Sequence, residues 1–438
     1  MSVDSNAFEM DPPAVVIGPD AVAPRQSDRV VFGLDGIHFI ALLLRAAVLE
    51  LMTLGLYRFW LTNDIRRFLW SHTSLEGERL EYSGHGHELF AGFLGAFAIL
   101  VALSACIYGP SQLLDAAWLR YATIPLFFFL RQVATYQARR YRLSRTLWRG
   151  TRFWMDGSAL GFAARAVLWD AVVLLTLGLA WPWRVAALER YQLGHSGYGV
   201  LPGRFDGEGS GLFRRVAWMW IVMMIPVGCL AYLAMTTAAT LDWSPDASNE
   251  DLLSAILGPR SHIVPLIAVL LSPFVALTLF ALYNAESWRW WVNGIRFGDV
   301  EPHCALSRSA MFGLYLKAGV VFTFAALCVT VLGVTAGLVA LTISKISILD
   351  TASMEAALGA LNDNHPYAVL ALLAGGYIVI VLTFGAVSRF FFDYALWRVV
   401  LPTLSFKHLA AAEDIDAKGT PANALGEGLL GLLRIGGL

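Results

Sequence analysis

Eight apolar segments punctuate this sequence, at about 37–57, 89–109, 116–136, 160–181, 216–235, 262–283, 311–343 and 368–390. Each is long enough to cross a hydrocarbon core of about 30 Å as a helix rising about 1.5 Å per residue. Lipid offers no hydrogen bonds to a peptide group, so a spanning segment must be a helix or part of a closed barrel. None of the eight alternates apolar and polar residues as a barrel strand does. The expected class is therefore an all-α polytopic membrane protein. Composition agrees. Only 15% of the residues are charged and 57% are hydrophobic, whereas soluble domains carry about 25% charged residues.

A second feature organises the segments. Residues 53–90 and 176–213 form a gapless repeat with eleven of 38 positions identical. Thr53-Leu54-Gly55-Leu56 matches Thr176-Leu177-Gly178-Leu179. Trp60 matches Trp183, Arg67 matches Arg190, His72 matches His195, and Gly84 and Gly86 match Gly207 and Gly209. Internal repeats of this kind are common in polytopic membrane proteins. They divide the chain into a first membrane repeat (31–153), a second (154–290) and a degenerate third (291–408). The flanking tails are 1–30, Pro- and Asp-rich and read as disordered and cytoplasmic, and 409–438, which ends in a short apolar stretch.

The arginines decide how many segments cross. Loops 58–88, 137–159 and 182–215 are Arg-rich, whereas 110–115, 236–261 and 344–367 hold two basic residues in all, Arg260 and Lys345. If all eight segments span, loops 137–159 and 182–215 fall on opposite sides and break the positive-inside rule. If segments one and four are re-entrant or interfacial, every Arg-rich loop and both termini lie in the cytoplasm. Those two segments carry opposite charges near their middles, Arg45 and Glu50 in one, Arg165 and Asp170 in the other. A charge at mid-bilayer costs about 2.5–3.5 kcal/mol on insertion scales. A spacing of five puts the two charges about 140° apart on a helix, so pairing across the repeat is expected, Arg45 with Asp170 and Arg165 with Glu50. These four residues are the candidate polar pathway or repeat-interface charges. The alternative is that they reach interfacial water.

The motifs TLGLYRFW and IRRFLWSHTSLEG, with the F/Y-x-G-x-G-x-x-LF element, resemble the YjgN-type family of bacterial inner-membrane proteins, a domain of unknown function. The resemblance covers roughly 31–400, with weaker echoes at 145–153, 291–299 and 394–406. It implies an inner-membrane location and a repeat architecture. It supplies no catalytic or binding residue.

Physically, the Gly55 motif suits a helix end, and Tyr57, Phe59 and Trp60 suit an aromatic belt. The stretch around Ile65–Leu69 suits an amphipathic helix on the cytoplasmic leaflet. Arg58, Trp60, Arg66, Arg67, Trp183 and Arg190 are the candidate contacts to anionic lipid headgroups. The glycines at 84–86 and 207–209 read as tight turns. A phosphate-binding loop is disfavoured, because no Lys-Ser/Thr follows and no strand is expected before them. His85, His87 and Glu88 have Glu208, Ser210 and Gly211 as their repeat equivalents, so no metal site and no cofactor is expected. The four cysteines lie far apart in the sequence and read as small apolar residues. No catalytic motif occurs, and the net charge of −1 argues against nucleic acid. The chain is expected to be no enzyme. Two functional classes stand, a transporter or permease-like protein and a non-transporting module that binds lipid headgroups or assists envelope assembly, with a membrane enzyme acting on lipid as a weaker third.

Overall fold

Among the described residues ten short strands form one ring, and five helical hairpins start and finish on it. The computed structural model describes residues 29–33, 36–113, 121, 123–240, 249–343, 366–413 and 415–433. The first unit is β1 (Val30–Phe32), α1 (Gly36–Met52), α2 (Arg58–Ser71) and β2 (Thr73–Leu75). The second is β3 (Glu78–Tyr82), α3 (Gly86–Leu113), α4 (Thr123–Arg145) and β4 (Thr146–Trp148). The third is β5 (Thr151–Met155), α5 (Ala159–Leu175), α6 (Trp181–Gly194) and β6 (Ser196–Tyr198). The fourth is β7 (Leu201–Phe205), α7 (Gly209–Thr240), the short α8 (Asn249–Leu257), α9 (Ile263–Gly294) and β8 (Ile295–Phe297). The fifth is β9 (Glu301–Cys304), α10 (Arg308–Ile343), α11 (Pro366–Ser388), a π-helical turn at Arg389–Ala395, α12 (Leu396–Val400) and β10 (Leu404–Lys407).

Within each unit the first strand pairs antiparallel with the last. Between units, β2–β3, β4–β5 and β6–β7 are hairpins. Single bridges at Phe297–Val300 and Arg29–Ser405 complete the circle. The expectation of helices alone thus missed the strands, including those that do precede the glycines at 84–86 and 207–209.

Local sequence explains the ring. Each hairpin reverses over two residues placed after a large apolar residue. Glu76-Gly77 and Arg149-Gly150 both have two positive φ angles, as a type I′ turn demands. Gly199 and Gly298 take a positive φ at the first turn position, the type II′ pattern. The apolar residues before or after the turns, Leu75, Trp148, Tyr198 and Val300, are buried together with Val30 and Leu401. Burial of the Tyr198 hydroxyl, which donates to the Trp148 carbonyl at 2.9 Å, pushes its pKa up.

Hairpin length follows the order short, long, short, long, long. Five helices among the described residues are long and apolar enough to cross a membrane: α3, α7, α9, α10 and the α11–α12 continuation. They mark a membrane-embedded protein. The α4 helix returns from α3 to the ring; its ring-side half carries Arg139, Arg140, Arg142 and Arg145, and Arg131 lies just beyond its middle, which lowers its hydropathy. Residues 116–120 and 122 of the third apolar segment lie outside the described residues. Segments one and four are not among the five. They form α1 and α5, of 17 residues each, about 25 Å long.

The Thr-Leu-Gly-Leu motif is what shortens them. Leu54 and Gly55, and likewise Leu177 and Gly178, sit at positive φ. The Gly55 N–H donates to the Glu50 carbonyl and the Gly178 N–H to that of Val173, closing the helix end. The threonine hydroxyl then ties the tip to the start of the next helix: the Tyr57 N–H donates to Thr53 Oγ1 at 3.0 Å and the Ala180 N–H to Thr176 Oγ1 at 3.1 Å. The tips they form are apolar and exposed, Leu54 at 82% and Leu177 at 72%.

Beyond β10 the chain crosses the turn end of the ring, where Leu409, Ala412 and Ile415 join the apolar core of the hairpins. The last described element is α13 (Leu425–Leu433), which packs between α3 and α4.

Candidate functional site

Charged side chains on the long helices lie only in the ring-side halves. On α3 none follows Glu88, on α7 none follows Arg215, and on α10 none follows Lys317. On α9 none precedes Glu286, and on α11 none precedes Arg389. The reason is the cost of a charge at depth in lipid. The polar chemistry is therefore a belt beneath the ring, and the far half of the bundle is apolar.

The belt ties neighbouring units to one another. Between the fifth unit and the first, Arg389 meets Glu50 at 3.0 Å. Between the first and second, Arg66 on α2 meets Glu427 of α13 at 3.1 Å, and Arg142 of α4 meets the same carboxylate at 3.3 Å. Between the second and third, Gln132 donates to Asp170 at 3.0 Å and Arg139 to Glu189 at 2.9 Å. Between the third and fourth, the Trp291 indole donates to Glu189 at 2.9 Å. Between the fourth and fifth, Glu286 gathers Arg308 at 2.5 Å, Arg215 at 3.8 Å and Arg289.

This corrects the expected pairing across the repeat. Arg45 does not meet Asp170, and Arg165 does not meet Glu50. Glu50 is buried against Arg389, contributed by the eighth apolar segment, and Asp170 bonds Arg184 of its own unit at 2.6 Å. Arg45 and Arg165 are exposed; Arg165 folds back onto the Gly161 carbonyl and the face of Tyr191. A spacing of five turned the two charges of each helix to different sides, but only the carboxylate side faces the bundle.

The candidate headgroup contacts divide. Arg66 is 2% exposed, and its guanidinium is taken by Glu427 and the Tyr82 hydroxyl, so it does not reach the headgroups. Arg67 and Arg190 are exposed, yet each spends one nitrogen on a turn carbonyl 17 residues on, Arg67 to Gly84 at 2.9 Å and Arg190 to Gly207 at 3.0 Å. Trp60 and Trp183 sit beside Gly86 and Gly209, where a Cβ would come within 2.5 Å and 2.7 Å of them. His72 and His195 each contact, through Nδ1 at 2.7 Å, the carbonyl four residues earlier. These matching residues thus make matching contacts in the first and third units. Arg58 lies over the rings of Phe59 and Phe93.

One feature that sequence reasoning missed is an apolar cavity of about 640 Å³ beside the tip of the third unit. Gly178, Leu179 and Trp181 line one side, Phe213 and Met223 of α7 another, and Pro273 and Tyr283 of α9 the third. Two hydrogen bonds fix its walls: the Trp220 indole donates to the Leu177 carbonyl at 3.0 Å, and the Trp181 indole to the Tyr283 hydroxyl at 2.6 Å. Arg184 stacks on Trp181. The signal for it was Pro273 in a long helix of the fourth unit, together with a neighbouring tip too short to fill the space beside it. Among the described residues no group of His, Cys, Asp and Glu is placed to hold a metal ion.

Comparison with known proteins finds one family. Its model, described as bacterial protein of unknown function (DUF898), matches residues 27–432, and it is the YjgN-type family that the motifs resemble. No curated protein and no solved structure matches the chain.

Proposed function

The chain belongs to this bacterial family of unknown function, and we propose that it is an inner-membrane module that binds lipid in the notches beyond its short helical hairpins. The observation that carries this reading is the apolar cavity at the Gly178 tip, bounded by two long helices and open beside a hairpin that stops short of them. A unit about 25 Å deep cannot fill a bilayer core of about 30 Å plus its far headgroup layer. Acyl chains are the material at hand to fill the rest. The aromatic groups Trp181 and Tyr283, with Arg184 behind them, suit the boundary between an acyl chain and a polar head.

The transport reading is less well supported. A polar pathway needs polar groups along its length, and the far halves of the five long helices carry no charged residue among those described. The order short, long, short, long, long supports a duplicated pair of hairpins followed by a single one, with divisions at 31–153, 154–290 and 291–408. On this reading α1–α2 and α5–α6 are re-entrant.

The ring lies on the Arg-rich side, which the positive-inside rule assigns to the cytoplasm, along with both termini. Single cysteines in place of Glu78 and Arg204, in a variant whose four native cysteines are alanine, should react with an impermeant maleimide only after the cells are opened. A cysteine in place of Arg260 should react from outside. Labelling of position 204 but not 78 from outside would overturn this topology.

The lipid reading is tested by filling the cavity. Ala217→Trp with Ala276→Trp, both at lining positions, should lower the phospholipid retained by the detergent-purified protein in native mass spectrometry. Uptake and efflux profiles of a deletion strain should match those of its parent. Equal lipid retention in the filled variant and the wild type would sink the proposal.

A further inference from the structure

The C-terminal helix occupies a pocket whose chemistry exceeds what it supplies. α13 lies so close to α3 and α4 that backbones touch. A Cβ on Gly428 would stand 2.1 Å from the Gly92 carbonyl carbon, and one on Gly426 2.3 Å from Gln137 Cβ. Between these glycines Glu427 points inward to two guanidiniums, Arg66 and Arg142. Tyr82 shares Arg66. One turn before Arg66, on the same face of α2, Asn63 is 2% exposed, and neither atom of its amide has a hydrogen-bond partner. Arg66 Nε also lacks one, and Glu427 Oε1 accepts no well-aligned hydrogen bond. Buried polar groups left unsatisfied are uncommon in native proteins and call for a cause. Here the one carboxylate leaves two donors, Asn63 Nδ2 and Arg66 Nε, without a partner. A phosphate group, with more acceptor oxygens, would use them more fully.

The occupant is attached by a tether. From Glu413 to Ala424 the described chain forms no helix or strand. It passes Trp154, against which a Gly419 Cβ would lie at 2.7 Å, and the Ala422 N–H donates to Ser144 Oγ at 3.0 Å. Leu430 covers Ala134 and Ala138 of α4. The helix therefore presents an anion joined to an apolar body, the outline of an anionic amphiphile. If it withdraws, Arg66 loses its carboxylate partner in a buried place, which is strongly unfavourable unless another anion enters.

We propose that Asn63, Arg66, Tyr82 and Arg142 form a binding site for an anionic phosphate group, and that Glu427 on the tethered α13 is its built-in competitor. The site shares no residue with the apolar cavity at the Gly178 tip, and it stands or falls independently of that cavity.

The test uses the full-length protein in nanodiscs, with Ala424→Cys as a reporter of the undocked helix, since Ala424 is 6% exposed when docked. Phosphatidylglycerol should raise the labelling rate of this cysteine about tenfold over phosphatidylcholine, the size of one good charge-assisted contact. Inorganic phosphate is run in parallel. A response to lipid alone assigns the site to a headgroup, and a response to both assigns it to free phosphate as well. In a second variant, Gly428→Leu, the added side chain clashes with Gly92 and expels α13. Native mass spectrometry should then find about tenfold more phosphatidylglycerol bound, and Arg142→Met in that background should abolish the gain. The proposal is overturned if neither phosphatidylglycerol nor phosphate raises labelling, or if the gain in Gly428→Leu survives the loss of Arg142. Should Gly428→Leu fail to fold, the labelling result alone decides.

Discussion

Arg66→Met should destabilise the protein by about 3–5 kcal/mol, the usual cost of removing one partner from a buried ion pair. Arg66 is among the largest fully buried side chains of the structure. Burial alone would lower its pKa, but the Glu427 carboxylate and the Tyr82 hydroxyl override that and hold it above the ordinary arginine value. Methionine fills most of the same volume, so the loss is of charge and hydrogen bonds and not of packing. Glu427 would keep only Arg142, at 3.3 Å, and the docking of α13 would weaken. Denaturant unfolding in detergent measures the change. A loss under about 1 kcal/mol would mean that water already reaches the pair, as for exposed ion pairs. Adding Glu427→Met should return much of the stability, because an apolar replacement of a whole buried pair is often close to neutral. The double-mutant cycle then isolates the coupling between the two groups.

Much of this architecture could be read from the residues, and what could not has specific causes. Segments one and four announced themselves by Thr-Leu-Gly-Leu and by their mid-segment charges, and both are short helices turned back at those glycines. The strands were missed because each has only three to five residues, too few for a period-two pattern to stand out. Their signal was still present. Leu75-Glu76-Gly77, Trp148-Arg149-Gly150, Tyr198-Gly199 and Phe297-Gly298 each place a large apolar residue just before a glycine-containing two-residue turn. Two of these lie in the weaker echoes at 145–153 and 291–299. Aligned on the turn, and not on the long helices, they give the ring.

The charge partners were beyond local reasoning for a different reason. Glu50 and Arg389 are 339 residues apart, and Arg66 and Glu427 are 361 apart. No helical spacing connects such pairs. They meet because the ring brings the fifth unit back beside the first, and because the tail returns over the ring into the bundle. The expectation that charges inside apolar segments must be paired or wet was sound physics. Assigning the partners required the closed order of the units, which only the strands reveal.

The corrected pair supplies the second large effect. Arg389→Met leaves Glu50, 8% exposed, without its only ion-pair partner among the described residues, and should also cost about 3–5 kcal/mol. Glu50→Gln should cost less, since the amide keeps a hydrogen-bond acceptor for Arg389 and Arg389 is itself partly exposed. The exchange Glu50→Arg with Arg389→Glu should recover most of the loss, as expected for a direct contact at 3.0 Å. Arg45→Asp with Asp170→Arg should show no such recovery. Arg45 is exposed, and Asp170 answers to Arg184 and Gln132. Expression level and unfolding midpoint, measured for the singles and both exchanges, separate the two arrangements. Recovery in the second exchange but not the first would disprove the order of units around the ring. The π-helical turn adds a reason to expect a steep response. Arg389 opens it and Asp393 lies within it. Such turns persist where a packing or functional demand holds them, and the Glu50 contact falls at its first residue. Losing that contact should let the turn relax toward a regular helix, which would rotate Tyr394 away from its 5.1 Å stack on Phe39 and loosen the first unit from the fifth.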